Sequence, residues 1–200
     1  MEGSSLKQHL KQKLRADFRQ RRRSLDPATR LESESQINEA LLKLVAQRQV
    51  KRLSAYLAFD GEVDIRPALQ QLSSQGVIIS LPLISGPASA KFLEFQCWRP
   101  GTSLVKNVFG IDEPECSELI GVHQLDLVLL PLVAWDEKGR RLGMGAGYYD
   151  KALASLSGKT KPQRIGIAFD LQKSVELPAE PWDIPVHGVI TENGLFTCPA

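Results

Sequence analysis

The sequence predicts an α/β fold, a three-layer α/β/α sandwich with a mostly parallel central sheet and an N-terminal helical extension. Helical periodicity occupies residues 1–48, and short apolar strand segments then alternate with helical segments. One of these segments, residues 125–132 (LDLVLLPL), is almost continuously apolar, which is typical of a strand covered on both faces. We expect one domain over residues 1–200, in which the N-terminal helices pack on the α/β core.

Two helices are predicted in the N-terminal extension. The first covers residues 6–23 and is basic, with an apolar stripe at every fourth position formed by Leu6, Leu10, Leu14 and Phe18. Asp26 before Pro27 is a typical helix start, so we expect a second helix over residues 27–47. Its expected apolar stripe consists of Leu31, Ile37, Leu41, Leu44 and Val45.

The rest of the chain supplies the predicted sheet and its covering helices. We expect strands over residues 51–58, 77–83, 92–98, 125–132, 164–169 and 186–190. We expect helices over residues 65–74 and 148–156. Residues 92–98 alternate between apolar and polar side chains, as in a half-exposed strand. In a sheet of this kind, ligands bind at the carboxyl ends of the strands.

The composition excludes several classes of protein. Hydrophobic residues make up 42% and charged residues 24% of the chain, which is ordinary for a globular domain. No apolar run is long enough to span a bilayer, and the N-terminus lacks the apolar stretch of a signal peptide, so we expect a cytoplasmic protein. Neither disulfides nor a zinc site are expected from the scattered Cys97, Cys116, Cys198, His9, His123 and His187.

Positive charge is concentrated at the N-terminus. The first thirty residues contain nine lysines and arginines against three acidic residues, a net charge of +6. Since the whole chain carries +2, the remaining residues carry −4. This asymmetry indicates an anionic partner for the first helix, and one alternative is a nucleic-acid-binding protein that uses this helix.

A glycine-rich turn over residues 136–150 is the most informative segment. Gly143, Gly145 and Gly147 alternate after the apolar strand, which leaves backbone amides unshielded and free to adopt positive φ angles. At the start of a helix, such amides suit a phosphate chain. The pattern is neither GxxxxGK[ST] nor GxGxxG, and a simple tight turn is the structural alternative.

Charged residues beside this turn support the phosphate interpretation. Arg140 and Arg141 can donate charge-assisted hydrogen bonds to phosphate oxygens. Asp150 lies in the first turn of the next predicted helix, where a carboxylate can bind Mg²⁺ on the phosphates. Its alternative role is to complement the helix dipole.

Together with its neighbours, this turn resembles the signature of the 5-formyltetrahydrofolate cyclo-ligase family, also called methenyltetrahydrofolate synthetases. The most specific match is the string Arg141-Leu-Gly-x-Gly-x-Gly-Tyr-Tyr-Asp150. The other matches are Lys11-x-x-Leu14-Arg15, Phe59-Asp-Gly-Glu62-Val-Asp64, Phe109-Gly-Ile-Asp-Glu-Pro114, Asp126-Leu-Val-Leu-Leu-Pro131 and Pro181-Trp-Asp183. They follow one order from residue 11 to about residue 190 and so cover nearly the whole chain.

The resemblance implies an ATP-dependent enzyme. Members of the family convert 5-formyltetrahydrofolate to 5,10-methenyltetrahydrofolate, consume ATP with Mg²⁺, and release ADP and phosphate. In this reaction the formyl oxygen is phosphorylated, and N10 of the folate then attacks the activated formyl carbon. The implied partner is the folate substrate, free or polyglutamylated. We expect a monomer that binds neither nucleic acid nor membrane.

The resemblance also implies the residues of the site. The implied catalytic residues are Lys11, Arg15 and Arg141. The implied ATP contacts are these three together with Leu142, Gly143, Met144, Gly145, Ala146, Gly147, Tyr148 and Tyr149. The implied folate contacts are Leu57, Glu62, Met144, Gly145, Ala146, Gly147 and Tyr148. The implied Mg²⁺ ligands are Asp150 and Asp183.

Several of these residues have a structural interpretation when taken alone. Glu62 beside Gly61 is typical of a solvated turn, and Lys11 and Arg15 are typical of a solubilising helix face. Packing is the ordinary role of the aromatic residues Tyr148, Tyr149, Trp98, Trp135 and Trp182. A different α/β enzyme that binds a nucleotide or phosphosugar is a further alternative, because fold does not determine function.

Overall fold

A seven-stranded sheet forms the centre of the computed structural model, which describes residues 2–86, 92–115, 118–156 and 162–199. The helices are α1 (Glu2–Arg23), α2 (Pro27–Gln47), α3 (Arg66–Ser74) and α4 (Tyr148–Leu153). The strands are β1 (Arg52–Ser54), β2 (Ile78–Ser85), β3 (Phe92–Trp98), β4 (Leu104–Lys106), β5 (Asp112–Pro114), β6 (Leu127–Pro131), β7 (Ala134–Trp135), β8 (Arg141–Leu142), β9 (Gln163–Ile167), β10 (Gly188–Thr191) and β11 (Gly194–Thr197). Short 3₁₀ helices cover Val122–Gln124, Ala154–Leu156 and Asp170–Gln172.

The sheet has the strand order β11-β10-β9-β6-β1-β2-β3. The five inner strands are parallel to one another, and the edge strands β3 and β11 pair antiparallel with their neighbours. In the register, Leu53 of β1 lies opposite Leu127, and Leu129 of β6 lies opposite Ile165. The predicted mostly parallel sheet is therefore confirmed. Two small antiparallel sheets, β4-β5 and β7-β8, lie outside it.

Apolar layers cover both faces of the sheet. Leu127 and Leu129 of β6 belong to the cluster that includes the buried residues of α2 and α3. The alternate residues Val128 and Leu130 belong to a second cluster, which includes Leu153 of α4. These four side chains are fully buried, as expected for a strand covered on both faces. This arrangement confirms the predicted α/β/α sandwich.

Several predicted elements differ in detail from the structure. β1 is three residues long rather than eight, because the chain leaves the sheet after Ser54. The predicted helix over residues 148–156 ends as an α-helix at Leu153 and continues as a 3₁₀ turn. β3 occupies the predicted residues. The prediction that it is half-exposed is wrong for residues 95–98, which are all buried. An isolated bridge from Gln96 to Leu119 covers its outer edge.

The predicted apolar stripes of the first two helices are only partly buried. Phe18 is buried in α1, whereas Leu6 and Leu10 are exposed, and Leu31 of α2 is exposed as well. Positions four residues apart rotate by about 40° at each step, so a long stripe cannot face one surface throughout. None of the helices in the described ranges is long and apolar enough to cross a membrane.

The basic helix α1 is attached to the core through the turn that follows β1. Asp60 and Gly61 have φ angles of 54° and 76°, and Glu62 N donates to Phe59 O over 3.0 Å. Positive φ at both central residues defines a type I′ turn, for which Asp-Gly is a favoured pair. Three arginines of α1 donate to the buried Asp60 carboxylate, namely Arg19, Arg22 and Arg23. Burial alone would raise the pKa of Asp60, but hydrogen bonds from Arg19 and Arg23 outweigh it and lower that pKa.

Arg22 is the most buried of these three arginines and is fully inaccessible to solvent. Besides the Asp60 carboxylate, its guanidinium donates to Asp60 O over 3.0 Å and to Leu132 O over 3.3 Å. Leu132 directly follows β6, so this one side chain connects α1, the turn and the carboxyl end of the central strand. α1 therefore lies across the carboxyl ends of the strands.

Replacing Arg22 by methionine tests this attachment. We expect Arg22→Met to lower the free energy of unfolding by about 2–4 kcal/mol, because Asp60 O loses the guanidinium that donates to it, and Leu132 O and the Asp60 carboxylate each lose one of their buried donors. The matched control is Arg21→Met, which removes an exposed pair with Asp17 and should cost less than about 0.5 kcal/mol. Urea denaturation monitored by circular dichroism measures both values. Equal losses in the two variants would contradict the structural role of Arg22.

Candidate active site

A cavity of about 1210 Å³ opens at the carboxyl ends of the inner strands. Its floor consists of Leu57 after β1, Pro82 within β2, and Pro131 and Leu132 at the end of β6. α1 and the glycine-rich loop contribute further walls. The cavity thus lies where the sequence predicts ligand binding in a parallel sheet.

All fifteen residues implied by the sequence line this one cavity. They are Lys11, Arg15, Leu57, Glu62, Arg141, Leu142, Gly143, Met144, Gly145, Ala146, Gly147, Tyr148, Tyr149, Asp150 and Asp183. They come from α1, the turn after β1, the loop between β8 and α4, and the segment before β10. The fold therefore brings them together, while their individual roles stay predictions.

The glycine-rich loop requires glycine at two of its three alternating positions. Gly145 has a φ of 109° and Gly147 a φ of 68°, both in the region that side chains disfavour. A Cβ atom on Gly145 would also lie 3.4 Å from Cζ of Arg15. α4 has only six residues, so loop amides and basic side chains, rather than a long helix, supply the positive potential here.

Three basic side chains surround this loop. Lys11 and Arg15 project from the same face of α1, and Arg15 Nε donates to Gly143 O over 2.8 Å. Arg141 is almost fully buried and donates to Asp150 and to Ile184 O. Burial lowers the pKa of Arg15 from its usual value. The loop is thus bordered by guanidinium and ammonium groups that can bind phosphate oxygens.

Arg140 does not take part in this cluster. Its guanidinium donates to the buried Asp136 over 2.7 Å and to Glu176 over 3.1 Å, and it does not line the cavity. The expectation that Arg140 and Arg141 reach the same phosphate oxygens is therefore wrong for Arg140. Successive residues of the β8 region point in opposite directions, so only one of two neighbouring arginines faces the loop.

Two carboxylates lie beside the basic cluster. Asp183 Oδ2 accepts from Lys11 Nζ over 2.9 Å, and Asp150 Oδ1 accepts from Arg141 Nη2 over 2.6 Å. Asp150 also accepts from the amide of Ile184, the residue after Asp183, so Asp150 contacts the same chain segment that carries Asp183. No cluster of three or more metal-ligating side chains occurs in the described ranges. Two carboxylates that leave other positions to phosphate oxygens fit Mg²⁺ well.

Glu62 is a buried carboxyl group on the opposite side of the loop. The type I′ turn directs it inward, and its Oε2 accepts from Phe59 N over 3.1 Å. Arg22 lies 4.0 Å away. Burial raises the pKa of Glu62 to about 7, although Arg22 and the Phe59 amide oppose this rise. The alternative of a solvated turn residue is therefore wrong.

Aromatic residues form another part of the wall. The Tyr149 hydroxyl is buried and has no hydrogen-bond partner within the described residues, and burial together with Glu62 raises its pKa. Tyr148 makes an edge contact with Phe109 at a centroid distance of 6.4 Å.

Trp98 and Trp135 are buried as expected. The predicted packing role is wrong for Trp182, whose side chain is 67% exposed and lines the cavity.

Some residues of the cavity were not predicted from the sequence. Among them are Gln8, Gln12, Tyr56, Phe59, Asn107, Phe109, Ile111 and Glu113. Gln8 and Gln12 share with Lys11 and Arg15 the spacing i, i+3, i+4, i+7, and this helical pattern could have identified them. The others depend on where the turn after β1 and the β4–β5 hairpin lie. No local pattern specifies that position.

The cysteines lie away from the cavity where the structure describes them. Cys97 and Cys198 are buried in the apolar cluster between the sheet and α4. Neither lines the cavity. Cys116 lies outside the described residues. Burial raises the pKa of Cys198 to about 11, so this thiol stays protonated at neutral pH.

The chain is similar to known proteins along nearly its whole length. The sequence model of the 5-formyltetrahydrofolate cyclo-ligase family matches residues 7–192. A 5-formyltetrahydrofolate cyclo-ligase from Escherichia coli is 38% identical over 181 residues, which are 90% of this chain and 98% of that protein. The protein of the same name from Haemophilus influenzae is 34% identical over 182 residues, or 90% of this chain and 96% of that protein.

A solved structure has the same architecture. The NMR structure of Aquifex aeolicus 5,10-methenyltetrahydrofolate synthetase superposes with a TM-score of 0.81 at 29% sequence identity. The superposition covers 96% of this chain and 94% of that one. The α/β sandwich with its N-terminal helices is therefore shared along nearly the whole length of both chains.

The raised pKa of Glu62 predicts a pH dependence of stability. Between the ordinary pKa of 4.5 and about 7, the folded chain holds a proton that the unfolded chain has lost, so the contribution of Glu62 decreases as the pH rises through this window. As the pH rises from 5 to 8, we expect the free energy of unfolding of Glu62→Gln to increase by about 2 kcal/mol relative to that of the original chain. Urea denaturation at both pH values measures this difference. Parallel pH profiles of the two proteins would contradict it.

Proposed function

The chain belongs to the 5-formyltetrahydrofolate cyclo-ligase family, and we propose that it uses ATP to convert 5-formyltetrahydrofolate to 5,10-methenyltetrahydrofolate. The observation that carries the proposal is the cavity, which combines a phosphate-type loop, three basic side chains and a buried carboxyl group. Pockets for one small ligand measure about 300–1000 Å³. A volume of about 1210 Å³ therefore leaves room for a nucleotide and a folate together.

The reaction needs activation of the formyl group. An N-formyl group is a poor electrophile, and its oxygen is a poor leaving group. Transfer of the γ-phosphoryl group of ATP to the formyl oxygen releases ADP and solves both problems. N10 of the folate then attacks the activated carbon, which closes the new ring, and N10 gives up its proton. The C–O bond to the phosphate breaks, and phosphate leaves as the C=N bond of the methenyl product forms. No covalent bond to the protein is required.

Phosphoryl transfer depends mainly on positioning and on positive charge around the moving group. We assign these tasks to Lys11, Arg15 and Arg141, which border the loop, and to the loop amides. Arg15 is held by Gly143 O and is therefore oriented before any phosphate arrives. Lys11 and Arg141 are held by the carboxylates of Asp183 and Asp150. All three positions are thus fixed by the fold.

Asp150 and Asp183 are the residues that would hold Mg²⁺. Oδ2 of Asp150 and Oδ1 of Asp183 accept no hydrogen bond from the described part of the chain, so each keeps an oxygen for a metal ion. Magnesium, when bound there, neutralises charge on the phosphate oxygens. The salt bridges with Lys11 and Arg141 hold both carboxylates in place.

Glu62 and Leu57 are the proposed contacts for the pterin ring. An ionised carboxylate can accept two parallel N–H bonds, which matches the donor edge of a pterin. With a pKa of about 7, Glu62 exists in both protonation states near neutral pH, and the pterin donors favour the ionised one. Leu57 supplies an apolar surface beside it.

The nucleic-acid alternative loses most of its support in the structure. The basic side chains of α1 largely have partners within the chain, which are Glu180 for Lys7, Asp183 for Lys11, Gly143 O for Arg15, Asp17 for Arg21, and Asp60 for Arg19, Arg22 and Arg23. The excess positive charge of the N-terminus is thus used to attach α1 and to form the cavity. Salt-dependent RNA or DNA binding that requires residues 1–24 would revive the alternative.

We further propose that the enzyme is a cytoplasmic monomer that accepts free or polyglutamylated folate. The composition supports the location, because its three cysteines show no disulfide pattern. The exposed mouth of the cavity leaves space for a folate tail to extend into solvent.

The central test is a turnover assay. Purified protein is incubated with ATP, Mg²⁺ and 5-formyltetrahydrofolate, and absorbance is followed at the longer wavelength at which the methenyl product absorbs. We expect product formation only with all three components, and little change in Cys97→Ser, Cys116→Ser or Cys198→Ser. ATP binding without folate-dependent turnover would instead favour a different nucleotide-dependent α/β enzyme.

Two lysines on the same helix separate a site role from simple surface charge. Lys11 lines the cavity, whereas Lys13 is exposed and lies away from it. We expect Lys11→Ala to lower kcat/KM for ATP by about ten- to a hundredfold, the equivalent of one lost charge-assisted hydrogen bond. Lys13→Ala should change it less than about twofold. Steady-state kinetics decides, and similar losses in both variants would remove Lys11 from the site.

A further inference from the structure

Trp182 has an unusual position for a tryptophan. Its side chain is 67% exposed, whereas Trp98 and Trp135 are 5% and 1% exposed. It occupies a turn that is closed by a hydrogen bond from Asp183 N to Glu180 O over 3.0 Å. The Asp183 carboxylate accepts from Glu180 N over 2.9 Å and fixes the turn from the other side. The backbone that carries the exposed ring is thus fixed at the cavity wall.

α1 locates Trp182 relative to the rest of the cavity. Lys11 binds Asp183, the neighbour of Trp182, whereas Arg22 approaches Glu62. These two positions are eleven residues apart, which is about 16 Å along an α-helix. Arg15 lies between them and contacts the glycine-rich loop. The ring therefore lies toward the Lys11 end of the cavity, away from Glu62 and next to the proposed phosphate region.

We propose that the Trp182 ring is the platform on which the purine base of the nucleotide stacks. The inference rests on the proposed function, because it assumes that the loop holds the phosphates of ATP. With the phosphates at the loop and the pterin at Glu62, the base is the flat, apolar part of the ligands that remains for this end. Gln8 and Gln12 line the same end, and their amides can donate to and accept from the polar edge of a base.

An exposed indole has a physical reason to receive such a ligand. Ligand cavities are lined mainly by hydrophobic and aromatic side chains, and an indole at the wall offers a flat apolar surface. Stacking of a base on an aromatic ring is worth about 1–3 kcal/mol. Because the turn fixes the backbone at Trp182, only the two side-chain torsions of the indole are ordered when the base arrives.

Kinetics of a Trp182→Ala variant tests the proposal. We expect its KM for ATP to rise about tenfold or more, with kcat and the KM for 5-formyltetrahydrofolate within about twofold. The matched variant Trp182→Phe keeps an aromatic ring and should retain most of the ATP affinity. Inorganic tripolyphosphate with Mg²⁺ has no base, so its inhibition constant should be the same for all three proteins.

Three results would overturn the proposal. The first is an unchanged KM for ATP in Trp182→Ala. The second is an inhibition constant for tripolyphosphate that rises in Trp182→Ala as much as the KM for ATP does. The third is an increase in the KM for the folate alone. The last result would place the ring against the folate tail. Melting temperatures within about 2 °C would show that the exposed position does not contribute to folding.

Fluorescence separates this inference from the proposed function. Titration with ATP in the absence of folate should change the emission of the original chain, because Trp182 is its exposed tryptophan. The change should disappear in Trp182→Phe, whose remaining tryptophans are buried. If turnover with 5-formyltetrahydrofolate fails but this change is present, the proposed function is wrong and the stacking inference stands. If ATP produces no change in the original chain, the stacking inference is overturned even where turnover succeeds.

Discussion

The attachment of α1 to Asp60 is the interaction on which the rest of the structure depends. Three arginines converge on this one buried carboxylate, and Arg22 also reaches the carbonyl that follows the central strand β6. A buried charge is tolerated only when its partners satisfy it fully. Few other positions of α1 would therefore satisfy the Asp60 carboxylate. It fixes the direction of α1 across the carboxyl ends of the strands, and thereby brings Lys11 and Arg15 to the cavity.

The same turn determines the electrostatics of the opposite side of the cavity. Since Asp60 and Gly61 both have positive φ angles, the chain reverses tightly and directs Glu62 inward. Asp60 holds the guanidinium groups, whereas the buried Glu62 has Arg22 at 4.0 Å and accepts one hydrogen bond, from the Phe59 amide, within the described part of the chain. Two neighbouring carboxyl groups thus have pKa values shifted in opposite directions, one for attachment and one available for a ligand.

Charge pairing also organises the proposed nucleotide end. The Lys11–Asp183 and Arg141–Asp150 pairs place each cation beside a carboxylate, so neither charge is left alone in a partly desolvated cavity. A polyphosphate with a divalent cation presents both signs of charge as well, and can exchange partners with both pairs. The site is therefore arranged for a charged ligand without a large cost to the stability of the fold.

The sequence by itself determined the layer order, the buried central strand and the loop glycines, because hydrophobic period and glycine spacing act locally along the chain. It also indicated the family, and with it the fifteen residues that the fold gathers in one cavity. Tertiary structure decided that Arg140 turns away while Arg141 faces the loop, that Glu62 is buried, and that Trp182 is exposed. Burial, charge pairing and side-chain direction depend on segments that are distant in sequence, and local patterns therefore do not contain them.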